Sequence, residues 1–147
     1  MAEIPSELTL RVEQEIEIHA PPERAFESLM QQLGDGFGSP ENMNLSMRVE
    51  PWVGGRWFRD LGNGQGHLWG HVQVMKRPML LELYGPLFMS YPAISHLQLR
   101  LADKGDGTTR LTLCHQALGL INPEHRKGVS TGWNAFMTGV KGHAEGK

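Results

Sequence analysis

Residues 50–57 read Glu50-Pro51-Trp52-Val53-Gly54-Gly55-Arg56-Trp57. A short alternating run, Ser46 to Glu50, enters this stretch and another, Arg56 to Asp60, leaves it. A Gly-Gly pair between two such runs predicts a tight β-hairpin, because both central residues can adopt positive φ without a Cβ clash. Two tryptophans, an arginine and a proline crowd the turn, more than a bare hairpin needs. Glu50 and Arg56 flank it, and their expected role is a salt bridge that fixes the turn. The sharper alternative is an anion clamp formed by Arg56 or Arg59.

Upstream, Leu8, Leu10, Val12, Ile16 and Ile18 share one parity, opposite Thr9, Arg11, Glu13, Glu15 and Glu17. That alternation predicts a long half-buried strand of an antiparallel sheet. His19-Ala20-Pro21-Pro22 stops it, and Pro22 suits the first turn of a helix. Ala25, Phe26, Leu29, Met30 and Leu33 then follow at helical spacing, up to Gly34-Asp35-Gly36. Residues 37–45 read as irregular chain, with room for a short helical turn.

Downstream of the hairpin, strands are predicted wherever alternation resumes. Leu68, Val72 and Val74 are read as opposing His67, Trp69, His71 and Gln73. Met79 to Tyr84 follows, and Gly85 to Ala93 is apolar without period. Leu97, Leu99 and Leu101 oppose His96, Gln98 and Arg100, and after a turn at residues 103–107, Leu111, Leu113, His115 and Ala117 oppose Arg110, Thr112, Cys114 and Gln116. Asn122-Pro123-Glu124 is a strong helix start: an Asn cap, Pro at the first position and an acid at the positive dipole end. His125, Val129, Trp133, Phe136 and Val140 form its apolar stripe. Gly128, Gly132 and Gly139 each cost about 1 kcal/mol relative to Ala in a helix interior, so packing rather than propensity must hold this helix. The fold class that follows is α+β: an antiparallel sheet of about seven strands covered by a long C-terminal helix, with one or two short helices after the first strand. Residues 1–147 form one domain, with a frayed tail at 144–147.

Four pieces carry a resemblance: Ile16-x-Ile18-x-Ala20-Pro21-Pro22-Glu23-Arg24-Ala25-Phe26, the Glu50 to Trp57 run, Gly107-Thr108-Thr109-Arg110-Leu111-Thr112-Leu113-Cys114-His115, and His125-x-x-Gly128-x-x-x-Gly132-Trp133. In this order, across nearly the whole chain, they resemble the START-like, or birch-pollen-allergen-like (SRPBCC), superfamily, in its branch named for the activator of heat-shock-protein ATPase homologue (Aha-like). Residues 37–45 lack the tryptophan that the family often carries after the first helix. The resemblance implies a helix-grip (START-like) fold, a curved sheet wrapped around the long C-terminal helix, with a cavity between them. Its members bind apolar ligands, cyclise polyketides or act as co-chaperone domains, and fold alone does not choose among these.

Composition narrows the classes. The 147 residues carry a net charge of -2, one cysteine and seven histidines. Such a balance gives no electrostatic reason for nucleic acid or an anionic membrane as partner. One cysteine, Cys114, allows no internal disulfide, and with no signal peptide evident the expected compartment is the cytoplasm. No apolar run reaches the roughly 20 residues of a membrane span. His67 and His71 would lie about 13 Å apart on a strand, too far to share a zinc bound at about 2 Å. No metal and no cofactor are expected.

His115 takes the apolar parity of its strand, and His125 and Trp133 take the stripe meant to face it. The expected ligand-binding residues are therefore Trp57, Trp69, Tyr84, His115, His125, Val129, Trp133 and Phe136, around a hydrophobic or aromatic small molecule. Tyr91 offers a second hydroxyl, and Phe88, Met89 and Met79 offer soft apolar surface for a lid. The plainer reading of the two histidines is as satisfied core residues, one donating to a backbone carbonyl. Two rival readings stand beside ligand binding. One is a cyclase-, dehydratase- or hydrolase-like enzyme using a cavity histidine. The other is a co-chaperone-type interaction module with a chaperone as partner. A free sheet edge leaves room for a homodimer.

Overall fold

The computed structural model describes residues 3–37 and 47–146. Seven strands form one antiparallel sheet: β1 (Thr9–Ile18), β2 (Met47–Val49), β3 (Arg56–Gly62), β4 (Gln65–Lys76), β5 (Leu80–Gly85), β6 (Ala93–Asp103) and β7 (Thr109–Gly119). Their order across the sheet is β1-β7-β6-β5-β4-β3-β2, so β1 and β2 are the edges. Helix α1 (Pro22–Leu33) follows β1, and the long helix α2 (Pro123–Ala144) closes the chain. The curved sheet grips α2, as the resemblance implies. Apart from Phe37, the stretch 37–45 lies outside the described residues.

Alternation places one face of β1, β7 and β6 in the core. On β1, Leu10, Val12 and Ile18 are buried, and their register partners on β7 are Ala117, His115 and Thr109. Leu8 does not extend the strand but lies in a short 3-10 turn, Ser6–Leu8. On β6 and β7, Leu97, Leu99, Leu101, Leu111, Leu113 and His115 all point inward.

The Gly-Gly turn is not the expected two-residue hairpin. Pairing of β2 with β3 runs Val49 to Trp57, and the Glu50 N–H donates to the Arg56 carbonyl, leaving residues 51–55 as a wider loop. Only Gly54 has positive φ, at 85°. Gly55 is needed for space instead, since a Cβ there would fall 2.1 Å from the Glu50 carbonyl oxygen. Gly54 N–H donates to the Val72 carbonyl and Val72 N–H to the Gly55 carbonyl, so the loop lies along β4. The Glu50 carboxylate accepts from the Arg56 backbone N–H and, through both oxygens, from its guanidinium at 2.9 and 2.7 Å. These bonds hold the Glu50 pKa down at about 2. Trp52 and Val53 are exposed at the tip.

The expected parity of β4 is also corrected. Leu68 is 49% exposed while Trp69 is buried. The register shifts between Trp57 and Phe58 and again between Val72 and Val74. Each irregularity resets which residues face inward, so Trp57, Trp69 and Val72 share the concave face.

The two helices are joined by polar contacts at their ends. Ser28 Oγ donates to the Val140 carbonyl at 2.7 Å. Arg24 Nε and Nη2 donate to the carbonyls of Ala144 and His143 at 3.2 and 3.0 Å. Those carbonyls belong to the last turn of α2, and the His143 carbonyl also accepts from the Gly146 N–H at 3.2 Å. At the other end, Asn122 Oδ1 accepts from the Glu124 N–H at 2.8 Å, which is the predicted cap.

Candidate functional site

A cavity of about 370 Å³ lies between α2 and the concave face of the sheet. Five aromatic side chains from four places in the chain wall it: Phe37 just past α1, Trp69 on β4, Phe88 between β5 and β6, and Trp133 and Phe136 on α2. They form a closed ring of contacts. Centroids are 5.3 Å apart for Phe37–Trp69, 5.8 Å for Trp69–Phe88, 6.2 Å for Phe88–Trp133, 5.6 Å for Trp133–Phe136 and 6.0 Å for Phe136–Phe37. Three of these pairs are edge-to-face, the arrangement that the ring quadrupole favours.

Two of the costly glycines lie on the helix side of the cavity. Gly128 and Gly132 line it, and a Cβ at either would meet nothing within 4 Å. Steric crowding therefore does not require glycine there; the missing side chains leave the cavity open. Gly139 differs, because a Cβ there would come within 2.7 Å of Gln32 Oε1.

Among the described residues, polar groups at the cavity are few. His125 is half-buried at the start of α2, and its Nδ1 lies 2.8 Å from the Tyr91 hydroxyl. Gln32 contributes an amide, and Glu124 a carboxylate at the mouth. A mostly apolar pocket with a few convergent polar groups is the usual form of a small-molecule site.

Behind this wall lies a second, buried polar chain. The Trp133 indole N–H donates to His115 Nδ1 at 2.9 Å, and His115 Nε2 lies 2.9 Å from Ser95 Oγ. An indole can only donate, so His115 Nδ1 carries the lone pair and Nε2 carries the hydrogen. His115 therefore donates to Ser95, and Ser95 Oγ points on toward Met89 Sδ at 3.9 Å. Burial lowers the His115 pKa to about 4. Both ring nitrogens are engaged, which makes His115 a satisfied core residue.

Of the eight residues expected at the site, the structure brings Trp69, His125, Val129, Trp133 and Phe136 together around the cavity. Trp57 sits one layer deeper, 5.1 Å from Trp69 by ring centroids, and its indole donates to the Leu33 carbonyl at 2.9 Å. His115 also lies behind the wall. Tyr84 is on the outer face of β5, 43% exposed and beside His71, because Leu81 and Leu83 hold the inward parity. Of the two tyrosines, Tyr91 is the one whose hydroxyl meets His125.

Sequence reading misses Phe37, Gln32 and Ser95. Ser95 carried a signal: it is a polar residue with the inward parity of Leu97 and Leu99. Among the described residues no group of three or more His, Cys, Asp or Glu could hold a metal ion, and no helix is long and apolar enough to cross a membrane.

No family model matches the chain. No curated protein matches it significantly by sequence. Solved structures do match it in shape. Ara h 8.0201 superposes with a TM-score of 0.66 at 11% identity, covering 95% of this chain and 99% of that one. Protein Mll3558 from Rhizobium loti gives 0.66 at 18%, with 91% and 96% covered. Norcoclaurine synthase from Thalictrum flavum gives 0.65 at 11%, with 95% and 88% covered. At such identities the likeness speaks to fold, and with the strand order and the gripped helix it shows that this chain has the START-like, birch-pollen-allergen-like helix-grip fold.

Proposed function

We propose that this protein binds a hydrophobic, aromatic small molecule in the cavity between α2 and the sheet. The observation that carries this reading is the closed ring of five aromatic side chains around a volume of about 370 Å³. A core built for stability alone fills such a space, since interiors pack to the density of organic crystals. Here two helix positions facing it carry glycine instead. The fold offers a precedent: a norcoclaurine synthase point mutant of the same architecture has been solved in complex with a transition state analogue. Binding is better supported than a reaction run by His115, whose ring nitrogens are both committed to the core.

The test uses protein purified from its own host. Native mass spectrometry is expected to show a co-purified small molecule, released on denaturation and identified by its fragmentation. In parallel, aromatic ligands are titrated against tryptophan fluorescence, since Trp69 and Trp133 wall the cavity. Absence of any co-purified molecule, together with no saturable change in emission, would overturn the reading.

A further inference from the structure

A second cavity, of about 510 Å³, lies beside the first. The two share Trp69 and Phe88 as walls. The remaining lining comes from β3 and β4, including Arg59 and His67, and from the segment running from Pro86 to Tyr91.

Arg59 is the unusual member of this lining. Its Nε is sealed from solvent and meets no acceptor. Among the described residues its guanidinium forms no ion pair, whereas its neighbours do: Arg56 binds Glu50 at 2.7 Å and Arg48 binds Asp60 at 2.9 Å. Among the described residues the two carboxylates of this hairpin, Glu50 and Asp60, are thus taken, Asp60 also accepting from the Gly62 N–H at 2.9 Å. A buried donor on a charged group without a partner is costly. A carboxylate would relieve that cost, because its two oxygens match the planar guanidinium fork.

Resting on the reading of the α2 cavity as a ligand site, we propose that Arg59 is its anion-binding residue and that the ligand is an amphipathic carboxylate. The carboxylate sits on Arg59 in the second cavity. The apolar body crosses the Trp69–Phe88 pair into the aromatic ring around the first. The two cavities meet at this pair, whose rings touch edge to face with centroids 5.8 Å apart, so the Phe88 ring must turn aside for the body to pass.

Isothermal titration with a matched pair tests the assignment: 4-(2-naphthyl)butanoate and its neutral amide, 4-(2-naphthyl)butanamide. Wild-type protein is expected to bind the carboxylate about 10- to 100-fold more tightly, the range for hydrogen bonds to a charged group. Arg59→Gln is expected to erase that preference while leaving amide affinity within about twofold, since the apolar contacts that hold the amide remain. Arg59→Lys keeps the charge but not the fork, and is expected to retain only part of the preference. Far-UV circular dichroism establishes that each variant is folded; if Arg59→Gln is not, Arg59→Lys decides, and an undiminished preference there refutes the proposal. Equal affinities in the wild type, or a preference that survives Arg59→Gln, would overturn the role of Arg59 while leaving the apolar cavity standing. Failure of both compounds to bind would overturn the cavity reading itself.

Discussion

The indole of Trp133 donates to His115 Nδ1 at 2.9 Å, and this single bond ties the middle of α2 to the middle of β7. It also dictates the protonation state of the histidine. A protonated ring would turn an N–H toward the indole N–H, so the bond exists only with neutral imidazole.

Stability should therefore depend on pH through His115. Its pKa falls from 6.5 to about 4 on folding, through burial. Between those values the unfolded chain takes up a proton that the folded chain refuses. Stability is thus full above about pH 6.5, declines as pH falls toward about 4, and loses roughly 3 kcal/mol across that window. Urea unfolding at pH 7, 5.5 and 4.5 measures this. His115→Gln keeps an acceptor for Trp133 and a donor for Ser95 but cannot titrate, so its stability should fall less over the same range. Identical slopes in the two proteins would show that the buried histidine is not the source.

How far the site could be read in advance differed from strand to strand. On β7 nothing interrupts the period of two, so the inward parity of His115 follows from Leu111 and Leu113. On β4 the same reasoning turns Leu68 inward and Trp69 outward, the reverse of what is found. The cause is local: register shifts beside Trp57 and Val72 change the count by one, and alternation carries no trace of them. Phe37 and Phe88 lie in segments without any period, so only tertiary structure could bring them to Trp69. The Pro-Glu-Arg start of α1 was legible as a motif, but the partner of Arg24 is about 120 residues away.

Gly132 should trade stability against binding. Its backbone is helical, and a Cβ there meets nothing within 4 Å. Gly132→Ala should stabilise the protein by about 1 kcal/mol through helix propensity. Gly132→Leu should keep much of that gain but fill part of the cavity, weakening ligand affinity about 10-fold or more. Thermal melts and a titration with a naphthyl probe report the two effects separately. A leucine variant that binds as well as the wild type would place the ligand elsewhere.

Trp57 anchors the end of α1 rather than the ligand. Its indole donates to the carbonyl of Leu33, the last residue of that helix. Trp57→Phe leaves that buried carbonyl without a partner, at about 1–3 kcal/mol, and adds a small void. Chemical denaturation should show the loss. Affinity for the neutral naphthyl amide should change little, because Trp69 stands between Trp57 and the cavity. A variant of unchanged stability that loses binding would reverse this assignment.

Arg24 should act at a distance along α2. The four last carbonyls of any helix lack intrahelical donors and carry the negative end of its dipole. Here a cation from α1 reaches two of the final residues, His143 and Ala144. Lysine can supply the charge but not two donors in a fixed fork. Arg24→Gln should cost about 1–2 kcal/mol through the lost charge-assisted bonds, and Arg24→Lys should recover about half of that. The effect should be local as well as global. Amide exchange should quicken over the last turn of α2 first, while the amides of Val129 to Trp133, near the cavity, keep their protection. If exchange quickened uniformly along α2, Arg24 would be holding the docking of the whole helix, and ligand affinity would then fall with it.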